Sequence, residues 1–208
     1  MFTITKYRQE ILNTVSHALG VILSVIGLAF LLVKNHNATS YSTLSIWLYG
    51  FSLIALYASS TVYHLFAGEK LKKCTRIFDH MSIFLLIAGT YTPMCLISLE
   101  KSSGWTIFFI VWSIALAGLI MKIFLTGKAD KLSLLLYLAM GWLVIFDISN
   151  VVHVLTPNAL FFLALGGLLY TIGTIFYAVE KIPYSHFIWH LFVLGGSASH
   201  YAMVYLIV

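Results

Sequence analysis

The sequence predicts an all-α membrane protein: a seven-transmembrane helix bundle, N-terminus cytoplasmic and C-terminus outside. Three observations carry this. Apolar residues make up 61% of the 208 positions and charged residues 9%; a soluble domain is about 25% charged and a disordered chain is low in apolar residues. The apolar residues fall into seven runs, each near the ~20 residues needed to cross a bilayer core. Basic residues alternate between the polar breaks. The N-terminal stretch and the breaks after runs two, four and six hold Lys6, Arg8, Lys70, Lys72, Lys73, Arg76, Lys122, Lys128, Lys131 and Lys181, and the other side holds only Lys34 and Lys101. Ten against two sets the orientation by the positive-inside rule. The net charge of +5 is therefore read as topology, and no nucleic-acid partner is expected.

The first span is expected from about Val15 to Val33, closed by Lys34-Asn35-His36-Asn37. The second runs from about Leu44 to Phe66 and ends before Gly68-Glu69-Lys70. The third covers Phe78 to Leu99, the fourth Trp105 to Leu125, and the fifth Leu132 to Val152, stopped by Thr156-Pro157-Asn158. The sixth covers Ala159 to Val179, and the seventh starts near Ser185 and runs to Val208. No repeat or low-complexity tract interrupts them, so residues 1–208 are expected to form a single domain. The first run is too long for the apolar part of a cleavable signal peptide. Cys74 lies in a basic loop and Cys95 deep in the third span, so no disulfide or thiolate site is expected. The orientation is opposite to that of receptors coupled to heterotrimeric G proteins, and the seventh span has no lysine for a retinal Schiff base.

Polar residues inside spans mark function more often than chance. His186 and His190 are four apart at the start of the seventh span, which places both imidazoles on one helix face. Ser60 and His64 share a face in the last turns of the second span. Asp79-His80 opens the third. In the first span, Glu10, Asn13, His17, Gly20, Ser24 and Gly27 form one stripe at helical spacing, of the small and polar kind that packs against helices rather than lipid. Four spans thus bring ionisable groups to one end of the bundle, within about 11 Å of the cytoplasmic boundary. His200 shares the stripe of His186 and His190 but lies about 15 Å deeper. Asp147, Asn150 and His153 gather near the other end.

Three neutral imidazoles with one open position form a standard catalytic zinc set. His64, His186 and His190 are the expected ligands, and a nitrogen set of this kind suits zinc better than magnesium or calcium. Zinc brings the pKa of a water down to about 7. Asp79 is expected to take or orient that proton, and Ser60 to donate to a developing oxyanion. A bland reading stands beside each. Asp79 is also a good helix cap, serines in spans commonly bond their own i−4 carbonyl, and His17 and Glu10 are readable as structural. A reactive centre at headgroup depth inside a bundle points to a membrane lipid as substrate, hydrolysed at an amide or ester.

The chain resembles the bacterial hemolysin III-type proteins of the progestin and adipoQ receptor family. The resemblance covers nearly its whole length. It is carried by Glu10-x-x-Asn13-x-x-x-His17, Ser60-x-x-x-His64, Asp79-His80, Gly89-Thr90-Tyr91-Thr92-Pro93, Tyr170-x-x-Gly173, and His186-x-x-x-His190 followed by His200. The resemblance implies a zinc ion on His64, His186 and His190, Asp79 hydrogen-bonded to its water, Ser60 beside it, and a multi-pass place in a bacterial plasma membrane. By similarity, the wider superfamily includes alkaline ceramidases. It also supplies two other expectations: a non-catalytic sensor or lipid and energy homeostasis factor with structural zinc, and a cytolysin. Eukaryotic relatives that act as hormone receptors carry an added cytoplasmic N-terminal region. With about ten residues before the first helix, that role is not expected here.

Overall fold

The computed structural model describes residues 2–66, 68–179 and 181–208, with no side-chain description before Tyr7. The side chain of Lys6, one of the basic residues counted above, lies outside the described residues. Seven long helices form: α1 (Phe2–Lys34), α2 (Ser42–Leu65), α3 (Glu69–Ser98), α4 (Gly104–Leu125), α5 (Asp130–Val154), α6 (Pro157–Ala178) and α7 (Ser185–Ile207). The protein is a multi-pass membrane protein. Six of these helices are long and apolar enough to cross a bilayer by composition alone. The seventh, α7, has the length, at 23 residues, but three histidines and three serines dilute it.

The helices show why this chain folds in lipid. On α1 the outward stripe is Val15, Leu19, Ile22, Ile26, Phe30 and Val33, all exposed, while Asn13, His17, Gly20, Ser24 and Gly27 are buried. Large apolar side chains face lipid, and small or polar ones face the neighbouring helices, where backbones can approach. The small stripe read in the sequence is therefore the inner face. Gly20 is needed there, because a Cβ would meet the ring of Tyr57 on α2 at 2.5 Å.

Two boundaries differ from the sequence reading. The first helix begins at Phe2 and the third at Glu69, because the polar turns before Val15 and Phe78 continue as helix beyond the apolar layer. Asp79 is accordingly ten residues inside α3, not at its cap. The helix runs through Pro93 and ends in a wide π turn, Met94–Ser98. Gly104 packs directly on that turn, where a Cβ would lie 2.0 Å from the Cys95 carbonyl oxygen.

The α5 helix is broken at mid-span by a 3-10 segment, Leu143–Asp147. Backbone groups freed inside a membrane need partners. Tyr91 on α3 provides them: its hydroxyl accepts from Val144 N at 2.9 Å and donates to the Gly141 carbonyl at 3.0 Å. Central α3 has 72% of its apolar window buried, against 17% for α5 and for α6. The α1–α2, α2–α3 and α6–α7 pairs pack most extensively, and α5 rests lightly on α3, α4 and α6. The space this leaves is a cavity of about 1440 Å³, reaching from Lys131 and Lys181 at the basic end to Met94 and Met203 at depth.

Candidate metal centre

Three histidines from two helices meet near the basic end of this cavity, and two of them, His186 and His190, line it. His64 is the last residue but one of α2, and His186 and His190 occupy the first two turns of α7. One ring nitrogen from each lies within 4.8 Å of the other two. His64 Nε2 and His186 Nε2 are 3.2 Å apart. Two ligands at a Zn–N distance of ~2.05 Å and a tetrahedral angle are separated by ~3.3 Å, so the pair has the spacing of a shared ion. His64 and His190 are buried, at 7% and 1% exposure. The residues fit zinc: three imidazoles, neutral acceptors when unprotonated, bring nitrogens within reach of one ion, and the cluster contains no carboxylate among the described residues.

The outer contacts fix which nitrogens point inward. Glu10 Oε2 is 2.6 Å from His64 Nδ1, so that nitrogen donates its proton to the carboxylate and Nε2 is left as an acceptor. The other oxygen, Oε1, accepts from Lys72 Nζ at 2.8 Å. Ser16 Oγ donates to the Asn13 carbonyl at 3.0 Å and lies 3.3 Å from His190 Nδ1, which orders the second imidazole in the same sense. The ring of His17 stacks on His190 at 3.6 Å between centroids and meets Tyr57 edge-on. The α1 helix therefore sits directly behind His64 and His190.

Asp79 and Ser60 line the same cavity, with His186 and His190. Ser60 is buried one turn above His64 on the same face. The serine that turns back on its own helix is its neighbour: Ser59 Oγ is 3.0 Å from the Leu56 carbonyl oxygen. Asp79 enters no ion pair among the described residues. The nearby cations are engaged by Asp130, which takes Lys122 at 3.1 Å and Arg76 at 2.9 Å. His80, adjacent to Asp79, turns to this second network and accepts from Lys122 Nζ at 3.1 Å.

The remaining polar residues stand apart. His200 donates from Nε2 to the Leu163 carbonyl at 3.2 Å, tying α7 to α6. Its ring fills the space over Gly166, where a Cβ would meet it at 2.2 Å. Asp147 accepts from Ser103 and, at 2.7 Å, from Asn150 at the far end of the bundle. Sequence reasoning did not pick out Ser16, and it read Lys72 and Lys122 as topology signals. Ser16 is detectable as the position three after Asn13, in phase with the stripe. Lys122 is detectable as a lysine on an otherwise apolar helix, eight residues before Asp130, yet only 1% exposed.

Comparison with known proteins agrees with the architecture. Residues 5–201 match the family described as haemolysin-III related. The chain belongs to that family. It is 43% identical over 205 residues to the hemolysin-3 homolog of Bacillus subtilis (strain 168), covering 98% of this chain and 95% of that one. To hemolysin-3 of Bacillus cereus it is 42% identical over 198 residues, covering 95% and 90%. The human monocyte to macrophage differentiation factor is 29% identical over 202 residues, covering 93% and 82%.

Proposed function

We propose that this haemolysin III-family protein is a zinc-dependent hydrolase of a membrane lipid amide or ester. The observation that carries the reading is the convergence of three imidazole nitrogens, those of His186 and His190 on the wall of a long, mostly apolar cavity that also presents Asp79 and Ser60. His64, His186 and His190 would hold the ion. Bound there, zinc supplies Lewis acidity that polarises a carbonyl and acidifies water at neutral pH.

The chain's own groups do the rest. Asp79, free of ion pairs among the described residues, accepts a proton at its carboxylate from the attacking water and returns it to the amine nitrogen or alcohol oxygen that departs as the C–N or C–O bond breaks. The Ser60 hydroxyl donates to the oxygen on which negative charge develops. The apolar wall between α3, α5 and α7 takes the acyl chain. From His190 to Met203 is thirteen residues of helix, about 20 Å, the length of a long fatty acyl group.

Metal content on purified protein is the first test. About one zinc per chain is expected, lost in His190→Ala, as for a site with three protein ligands. A lipid screen follows, in which Asp79→Asn is expected to abolish turnover while zinc is retained. No zinc in the wild type would overturn the reading. Wild-type turnover in Asp79→Asn would remove Asp79 from the mechanism. Zinc with no hydrolysis of any lipid would favour a structural ion in a non-catalytic sensor or homeostasis factor. The names of the two Bacillus relatives favour a further reading, a cytolysin, which predicts lysis of red cells by purified protein irrespective of the three histidines.

A further inference from the structure

The first helix carries a carboxylate, Glu10, that the hydrolase reading does not use. It sits half-buried with both oxygens engaged. Oε2 is 2.6 Å from His64 Nδ1, and Oε1 is 2.8 Å from Lys72 Nζ. Those two residues belong to α2 and α3, so one side chain spans three helices at the rim of the histidine cluster. The His64 ring it holds is almost fully buried, at 3% side-chain exposure, whereas Glu10 and Lys72 are each at 28%.

We infer that Glu10 is the positioning residue of the metal centre, acting through His64. An imidazole has two tautomers, and only one leaves Nε2 free to face His186 Nε2. A carboxylate on Nδ1–H selects that tautomer, fixes the ring about its bond to Cβ, and makes the opposite nitrogen a stronger donor to a cation. Lys72 holds the carboxylate in place. Its ring contact with Tyr63, at 5.1 Å, keeps the ammonium over the site. The α1 stripe is thereby given a function beyond helix packing. Its first member sets the inward nitrogen of one ligand, and Ser16, two turns on, does the same for His190 at 3.3 Å.

The inference rests on the metal reading of the three histidines but not on any hydrolytic activity, and its test reads neither turnover nor substrate. Zinc affinity is measured by competition with a coloured chelator on detergent-purified wild type, Glu10→Ala, Glu10→Gln and Lys72→Met. Loss of an outer carboxylate typically weakens a site 10–100-fold. Glu10→Ala is expected in that range. Glu10→Gln, which keeps an oxygen for Nδ1–H but not the charge, is expected between Ala and wild type, and Lys72→Met is expected to weaken binding less than Glu10→Ala. Nitrogen-15 spectra of histidine-labelled, metal-free protein supply a readout that a packing role would not move. The wild type is expected to show His64 protonated at Nδ1, and Glu10→Ala a mixture of tautomers.

Zinc affinity within twofold of wild type in Glu10→Ala would overturn the inference, as would an Nε2-protonated His64 in the wild type. Should Glu10→Ala not yield folded protein, the Gln and Lys72→Met variants decide by the same measurements. Wild type that binds zinc tightly but hydrolyses nothing would sink the hydrolase reading and leave this one standing.

Discussion

Replacing Gly20 with alanine links packing to the candidate metal centre in one step. The new Cβ would lie 2.5 Å from Tyr57 Cδ1 and 2.6 Å from Cγ. Carbon atoms rest at about 3.5–4.0 Å, so α1 and α2 must part by about 1 Å. The ring cannot retreat, since Tyr57 is 2% exposed and its near edge, not its flexible end, is struck. Overpacking of this kind costs about 1–3 kcal/mol. Ser16 and His17 are one turn away on the displaced helix. The 3.3 Å approach of Ser16 to His190 Nδ1 moves beyond hydrogen-bonding range when about 1 Å is added. The 2.6 Å contact of Glu10 with His64, which joins α1 to α2, is stretched by the same parting, and loss of outer partners of this sort weakens a metal site about 10–100-fold. The control is Gly118→Ala, whose Cβ strikes Phe84 at the same 2.5 Å on the α3–α4 face. Thermal unfolding in detergent and zinc competition are run on both. Both variants should lose comparable stability, and only Gly20→Ala should lose zinc affinity. Equal zinc affinity in the two variants would refute the argument that α1 holds the ligands.

Three further outcomes are expected. Ser60→Ala should keep its zinc and lose about 10²–10³-fold in turnover if its hydroxyl serves the oxyanion; an unchanged rate in a kinetic assay would assign Ser60 to packing. Tyr91→Phe removes two hydrogen bonds from the break in α5 and should lower unfolding stability by about 1–3 kcal/mol; wild-type stability would mean that packing alone holds the break. Lys122→Met takes one of two cations from Asp130, so its cost should be about 1–3 kcal/mol, below the ~3–5 kcal/mol of a buried charge left with no partner. Its zinc content should equal that of wild type.

The spans were legible because lipid imposes a length and a hydropathy that the sequence states directly. Their ends were not, because helix continues into the aqueous boundary at Phe2 and Glu69 wherever the residues tolerate it, and hydropathy does not register this. That is why Asp79, taken without its neighbours, is readable as a helix cap, whereas the structure places it ten residues inside α3. The three histidines were legible from spacing and from charge topology together. Glu10 was visible as the first member of a stripe, but its contact with His64 crosses from α1 to α2, and helical periodicity carries no information about which neighbour a stripe faces. Lys72 and Lys122 were masked by the strength of the positive-inside signal, which accounts for a lysine at either position without asking what it touches.

The weak hydropathy of α7 has a consequence in time rather than in space. It is the last of the seven helices to leave the ribosome, and it carries two of the three clustered histidines. With His186, His190 and His200 along it, the helix is a poor candidate for stable residence in lipid by itself. It becomes a good one once α1, α2 and α6 already stand in the membrane and offer Ser16, His64 and the Leu163 carbonyl to its polar atoms. The centre is therefore completed by the final insertion step, and a chain halted before α7 holds only one of the three nitrogens.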